Sequence, residues 1–163
     1  MGTFTEHIQQ AKQNLSFLSS VNENINDRWD WQVTVCFYSA VHLINAHIVS
    51  KTSKNYLTHG QVSGVINPYA DLSLGKLDEK TYTSYTKLFH LSRRSRYLLN
   101  ENFDKSVDIQ TACLTYDKHF KKAIHHLDIV IEYIKANYSE SFGKEDLTCL
   151  ELKGRTFSNF NIL

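Results

Sequence analysis

An all-α fold, an antiparallel up-and-down bundle of about four long helices with one short extra helix, follows from three features of the sequence. One proline, Pro68, and six glycines in 163 residues leave long stretches free of helix breakers. Apolar side chains recur at steps of three and four along several segments. Polar, turn-forming clusters separate those segments. Hydrophobic residues make up 42% and charged residues 21%, enough apolar material for one packed core. The helical domain is read over 1–138, with a tail over 139–163 that packs on the body or on a partner.

The first helix opens at Thr3, with Glu6 three residues on in the pattern of a capping box. Phe4, Ile8, Ala11, Leu15 and Leu18 give it one apolar face, and the polar segment from Val21 to Asp27 ends it. The second helix, from about Asp27 to Ser50, is the most unusual segment. Between Trp31 and Ser50 there is no Lys, Arg, Asp or Glu, and apolar residues fall on every face. Such a helix is buried on most sides. Gln32, Ser39, His42, Asn45 and His47 interrupt it too often for a membrane span, so it belongs at the centre of the bundle or in an interface between two copies.

Thr58-His59-Gly60-Gln61 forms another capping box and opens a short helix that Asn67-Pro68 stops. Asp78 caps the third long helix, flanked by Leu77 and Tyr82 at the spacing of a hydrophobic staple, and this helix is expected to reach about Leu99. The fourth long helix has the clearest period: Ile109, Cys113, Tyr116, Phe120, Ala123, Leu127, Val130, Ile134. After Tyr138 the period dissolves. The tail still holds Leu147, Leu150, Phe157, Phe160 and Ile162, too apolar a set to stand in water.

A net charge of +1 means that no global field recruits nucleic acid or an anionic membrane, so any such contact needs a local patch. The start, Met1 to Glu6, lacks the basic and apolar regions of a signal peptide. Three cysteines, Cys36, Cys113 and Cys149, are an odd number without close spacing and read as free thiols. These features lead to the expectation of a cytoplasmic protein with no membrane contact.

Candidate chemistry concentrates on the third long helix. Tyr85, Leu88, Phe89, Ser92, Arg96 and Leu99 share one face at 100° per residue, which puts Arg96 within an apolar stripe. Arg93 lies on the flank and Arg94 on the opposite, solvent side. A guanidinium keeps its proton, so an inward Arg96 needs a carboxylate, a carbonyl or a bound anion. It could equally snorkel to the rim or pair with an acid such as Asp30. His42, in the charge-free helix, and His59, at a helix N-terminus that favours neutral imidazole, are the candidate proton carriers; each is also readable as a structural residue. His119, His125 and His126 stand among lysines and are expected on a solvated face.

Several chemistries are excluded. No histidine has Glu three residues before it, as diiron bundles require, and no His-x-x-x-His pair exists. The cysteines lack zinc-finger spacing, and no glycine-rich phosphate loop or Gly-x-Ser-x-Gly is present. No metal or other cofactor is implied.

Two stretches resemble a known family. Asp30-Trp31-Gln32-Val33-Thr34-Val35-Cys36-Phe37-Tyr38-Ser39-Ala40-Val41-His42 is similar to a helix of uncharacterised bacterial proteins of the HEPN superfamily. Thr58-His59 matches the turn that follows it there, and Leu91-Ser92-Arg93-Arg94-Ser95-Arg96-Tyr97 matches the end of the next helix. The resemblance covers roughly residues 27 to 99. It implies a helical bundle that commonly forms a homodimer, and a role in ligand binding or interaction, as in toxin–antitoxin or defence pairs with a nucleotidyltransferase partner. Many members are metal-independent ribonucleases, so RNA or a nucleotide is an implied ligand. The positions it marks for ligand binding are Asp30, Tyr38, His42, His59, Arg93, Arg96 and Tyr97. The ribonucleases carry Arg followed four to six residues later by His, and no arginine here has that partner. Val62 stands where similar proteins tend to have Arg. The expected function is therefore binding, with two alternatives: a divergent ribonuclease using Arg96 with His42 or His59, and a structural scaffold.

Overall fold

Thr3 accepts a hydrogen bond from the Glu6 amide while the Glu6 carboxylate accepts from the Thr3 amide, at 3.3 and 2.7 Å, and this closed box starts helix α1, Phe4–Asn24. The computed structural model describes residues 2–25, 27–56, 58–100 and 113–163. After α1 come α2, Trp29–Thr52; α3, His59–Ile66; α4, Glu79–Tyr97; and α5, Asp117–Tyr138. The chain ends with β1, Glu145–Leu147, a 3-10 turn at Leu150–Leu152, and β2, Phe160–Ile162. Among the described residues the fold is all-α apart from this one small sheet.

Helix α2 contacts all four other helices, and α4 also packs on α5. Its Val33, Cys36, Phe37, Ala40, Leu43, Ile44 and Ile48 are fully buried, so the absence of charge from Trp31 to Ser50 reflects the absence of water along most of its surface. Among the described residues α2 is the one helix long and apolar enough to cross a membrane, and most of it lies inside the protein. Opposite it, α5 buries Phe120, Ala123, Ile124, Leu127, Val130, Ile131 and Ile134.

Three helix boundaries differ from the sequence expectation. Helix α1 continues through Val21 to Asn24 because Asn22 is buried, where its amide donates to Gln32 Oε1 on α2 at 2.8 Å and accepts from the Thr148 amide at 2.6 Å. A polar residue there extends the helix by bridging its neighbours. Helix α4 stops at Tyr97, where Leu98 turns left-handed (φ 55°) and Leu99 is left exposed. Helix α5 starts at Asp117, not at Ile109, which lies outside the described residues. Cys113 to Tyr116 are not helical, because they are tied to the end of α4: the Cys113 amide donates to the Leu98 carbonyl at 2.9 Å, and Arg94 donates to the Leu114 carbonyl at 2.9 and 2.6 Å. Arg94, expected to face solvent, is thus a clasp.

That start also changes the histidines. His119 is the third residue of α5, and its Nδ1 accepts the Tyr116 amide at 2.9 Å, so it is a buried cap. His126 is half-buried, 3.3 Å from Ser84 Oγ on α4. Only His125 keeps the exposed place expected of all three.

The tail packs on α1 and α5. Its strands pair in parallel, Glu145 with Phe160 and Leu147 with Ile162, and Leu147, Cys149, Leu152, Phe157 and Phe160 are buried. Leu150 is exposed. Asn159 is the main stitch: its amides donate to Asp128 Oδ1 at 2.9 Å, and its Oδ1 accepts from Lys135 at 3.0 Å.

Phe37→Ala or Leu127→Ala empties a fully enclosed site and is expected to cost about 2–5 kcal/mol. Urea denaturation is the check; unchanged midpoints would contradict this packing.

Candidate functional site

The end of α4 carries a cation in neutral surroundings. Arg96 follows Ser92 by one helical turn, and its Nε and Nη2 donate to the Ser92 carbonyl and hydroxyl at 3.3 and 3.2 Å. Its Nη1 lies 3.5 Å from the hydroxyls of both Tyr38 and Tyr97. The guanidinium carbon sits 5.0 Å from the Tyr97 ring and 5.8 Å from those of Phe37 and Tyr38, within cation–π range of all three. Among the described residues no carboxylate comes within ion-pair distance of it. Asp30, the acid suggested by sequence, is engaged by Arg28 at 3.1 and 3.2 Å, and that contact lowers its carboxyl pKa. Arg96 is half-buried: neither a core ion pair nor a freely solvated cation.

His59 reaches the same aromatic cluster from α3. The Thr58–Gln61 capping box fixes the first turn, and the imidazole lies 5.3 Å from the Phe37 ring and 5.1 Å from Phe89. His59 itself remains exposed to solvent. Loss of water on the ring faces lowers its pKa, and the Arg96 charge acts in the same direction. The pair thus offers a permanent cation beside an imidazole that stays neutral near pH 7, able to accept a proton.

Between α3 and α4 a cavity of about 290 Å³ is lined by His59, Gly60, Ser63, Tyr85, Thr86 and Phe89. Tyr85 is buried, and among the described residues its hydroxyl has no hydrogen-bond partner. An unpaired buried hydroxyl costs about 1–3 kcal/mol. Burial also raises its pKa, which keeps it a proton-bearing donor.

The other sequence candidates are placed as follows. Tyr97 and Tyr38 are exposed beside Arg96. Arg93 sits 5.9 Å from the Phe89 ring, on the flank of the cluster. His42 points toward α1, where its Nδ1 is 3.1 Å from His7 Nδ1. His7 Nε2 meets Asn55 Oδ1 at 3.1 Å, and Asn55 donates its amide to the Gly2 carbonyl, which fixes the amide orientation. His7 must then donate through Nε2, so in the neutral pair His42 carries its proton on Nδ1. The structure thus joins Tyr38, His59, Arg96 and Tyr97, with Arg93 at the edge, and sets Asp30 and His42 in separate contacts. Phe37, Phe89 and Tyr85 complete the cluster and were not singled out by sequence, where they read as ordinary core residues. The only signal was the four-residue step from Tyr85 to Phe89 along the face that ends at Arg96.

Among the described residues no three His, Cys, Asp or Glu side chains converge. No family model matches the chain, and neither a curated protein nor a solved structure is significantly similar to it.

The histidines set a pH dependence. Burial is the first cause of a lowered pKa in His42, His47, His59, His90 and His126, and His126 is pushed down to about 4. Their unfolded forms titrate near 6.5. As pH falls below that value the unfolded chain binds protons that the folded chain refuses, so stability is level above about pH 7 and declines toward pH 4. His126→Gln, which retains a partner for Ser84, is expected to flatten part of this decline in urea melts between about pH 7.5 and 5.

Proposed function

We propose that the chain is a HEPN-like ligand-binding protein whose site, centred on Arg96 and His59, takes an anionic group such as a phosphate or carboxylate. One observation carries this reading: a half-buried guanidinium meets hydroxyls, one carbonyl and aromatic faces, but no described carboxylate. Arginine held this way keeps donors for an incoming anion. An internal acid would have neutralised the charge and competed with the ligand. Tyr38, His59, Arg96 and Tyr97 all fall within the segments that resemble the HEPN superfamily.

The same reading includes an antiparallel up-and-down bundle of α1, α2, α4 and α5, a cytoplasmic setting, and a homodimer. Support for the dimer comes from Phe17 and Trp31, which are 57% and 58% exposed and line a cleft between α1 and α2 with Val35 and Tyr38. Paired in a self-complementary contact, two copies would cover these rings and bring Tyr38, hence Arg96, close to the interface. Light scattering at micromolar concentration is expected to give twice the 18.9 kDa chain mass; a mass of one chain removes the dimer from the proposal. A place in a toxin–antitoxin or defence pair, with a nucleotidyltransferase as partner, rests on the resemblance alone.

The second reading, metal-independent RNA cleavage, is favoured by the nearness of a neutral imidazole to the guanidinium. Of its two candidate proton carriers only His59 stands beside Arg96, since His42 is committed to His7.

Arg96→Met tests the anion site. Without ligand the variant is expected to melt close to wild type, because a side chain of similar length still covers Phe37. Phosphate, nucleotides or short RNA should stabilise only the wild type, by about 2.7 kcal/mol at a hundredfold excess over Kd. Absence of any wild-type shift, together with a marked loss of stability in the variant, would make Arg96 a structural residue.

A further inference from the structure

We infer that the seam between α4 and α5 is a binding face for linked phosphates, with Lys80 and Arg155 holding one phosphate in a cleft at its end. Lys80 lies roughly 160° around α4 from Arg96, so this face is separate from the anion site proposed above.

The net charge of +1 conceals a strong segregation. After Glu79, α4 carries Lys80, Lys87, Arg93, Arg94 and Arg96, and no acid as far as Tyr97. The first half of α5, Lys118 to Leu127, holds three lysines and three histidines, again without an acid. The two helices meet along these stretches, since His126 lies 3.3 Å from Ser84 Oγ. Lys80, Ser84 and Lys87 follow at steps of four and three, forming one row roughly 10 Å long. Positive potential is felt along it: after burial, the charges of His125, Lys87 and Lys122 hold the His126 pKa down.

Where α4 begins, a cleft of about 360 Å³ has Lys80, His125, Asp128, Arg155 and Thr156 among its walls. Arg155 and Thr156 come from the tail, between the 3-10 turn and β2. Lys80, His125 and Arg155 are exposed. Among the described residues neither Lys80 nor Arg155 has a carboxylate within ion-pair distance. Asp128, the one acid in the wall, is engaged elsewhere. Its carboxylate accepts the Ser158 and Asn159 amides at 3.2 and 2.9 Å and the Asn159 side-chain amide at 2.9 Å. Asp128 thus anchors the tail segment that carries Arg155 and does not pair with either cation. Asp78, just before α4, is likewise held by Thr81, at 2.9 and 2.7 Å.

An arginine fork beside a lysine and a threonine hydroxyl suits an anion with several oxygens on one centre. Further cations along the same row suit further phosphates. An acidic peptide would need an apolar groove or a sheet edge for its main chain, and Phe157, the aromatic residue of this cleft, is buried. Inorganic polyphosphate and a nucleic-acid backbone share the required chemistry.

Calorimetric titration of the full chain with orthophosphate, tripolyphosphate, an oligothymidylate and an oligoglutamate of matched charge is the test. Tripolyphosphate is expected to bind more tightly than orthophosphate. Lys80→Gln/Arg155→Gln should weaken it about tenfold or more, the scale of a charge-assisted hydrogen bond, and Lys87→Gln by a smaller factor. Arg28→Gln/Lys54→Gln removes the same charge from exposed positions elsewhere and should leave the affinity unchanged. Every position altered is exposed, so the fold tolerates these changes. No binding of tripolyphosphate overturns the proposal, as does orthophosphate binding equally well. So do equal losses in the two double variants, or an oligoglutamate that binds as tightly. Oligothymidylate binding that depends on Lys80 and Arg155 assigns the phosphates to a nucleic-acid backbone; tripolyphosphate binding alone assigns them to free polyphosphate. The same titrations in Arg96→Met separate the two sites. Binding that persists there belongs to the seam, whereas its loss overturns the seam and leaves the Arg96 reading intact.

Discussion

A stretch of twenty residues without Lys, Arg, Asp or Glu, Trp31 to Ser50, has to be withdrawn from water over most of its surface, and the rest of the molecule is arranged around that requirement. One amphipathic partner covers only one face of a helix. Covering α2 on several sides takes α1, α4 and α5, with α3 closing a further part. Each fully buried Val, Leu, Ile or Phe contributes about 1.5–3 kcal/mol relative to exposure, so the many such residues on α2 outweigh any single polar contact in holding the helices together.

Apolar burial has no direction, and the polar residues of α2 supply it. Gln32 fixes α1 through Asn22. His42 does the same one end further along through His7. His47, buried, meets the Gly75 carbonyl at 3.0 Å and the Tyr138 hydroxyl at 2.8 Å, which holds the segment before α4 and the end of α5 against one side chain. A slipped helix would leave these groups unpaired in a dry interior, at a cost that the apolar contacts would not restore. The interruptions that rule out a membrane span in the sequence are thus the contacts that set the register.

Period and caps made the helices legible. Thr3, Thr58 and Asp78 each begin a helix with the hydrogen bonds their spacing foretold. What local pattern cannot carry is competition from distant groups. The apolar steps through Cys113 and Tyr116 continue the period of α5, yet Leu98 and Arg94 bind that backbone first and hold it extended. The tail's strands are three residues long, too short for an alternating pattern, and exist because β1 and β2 complete each other. The site was half legible for the same reason. A cation inside an apolar stripe is visible at Arg96, and a capped imidazole at His59. That Phe37 lies under both is a fact of packing, as is the burial of the Tyr85 hydroxyl with no partner among the described residues.

The electrostatics of Arg96 and His59 follow from their shared support. Aromatic faces give a guanidinium about 0.5–1 kcal/mol each at partly exposed positions, enough to orient it without cancelling its charge. The residual positive field falls on His59, where it adds to dehydration in keeping the imidazole neutral. A second cation on the same rings would have no counter-charge among the described neighbours. On the proposed reading, an anion entering between them would meet the guanidinium directly and offset its repulsion on His59, leaving dehydration, the larger cause of the neutral imidazole, in place. On that reading, charge at the site would be coupled to its occupancy. The two groups share a support because α2 places one aromatic side chain, Phe37, where α3 and α4 both reach it.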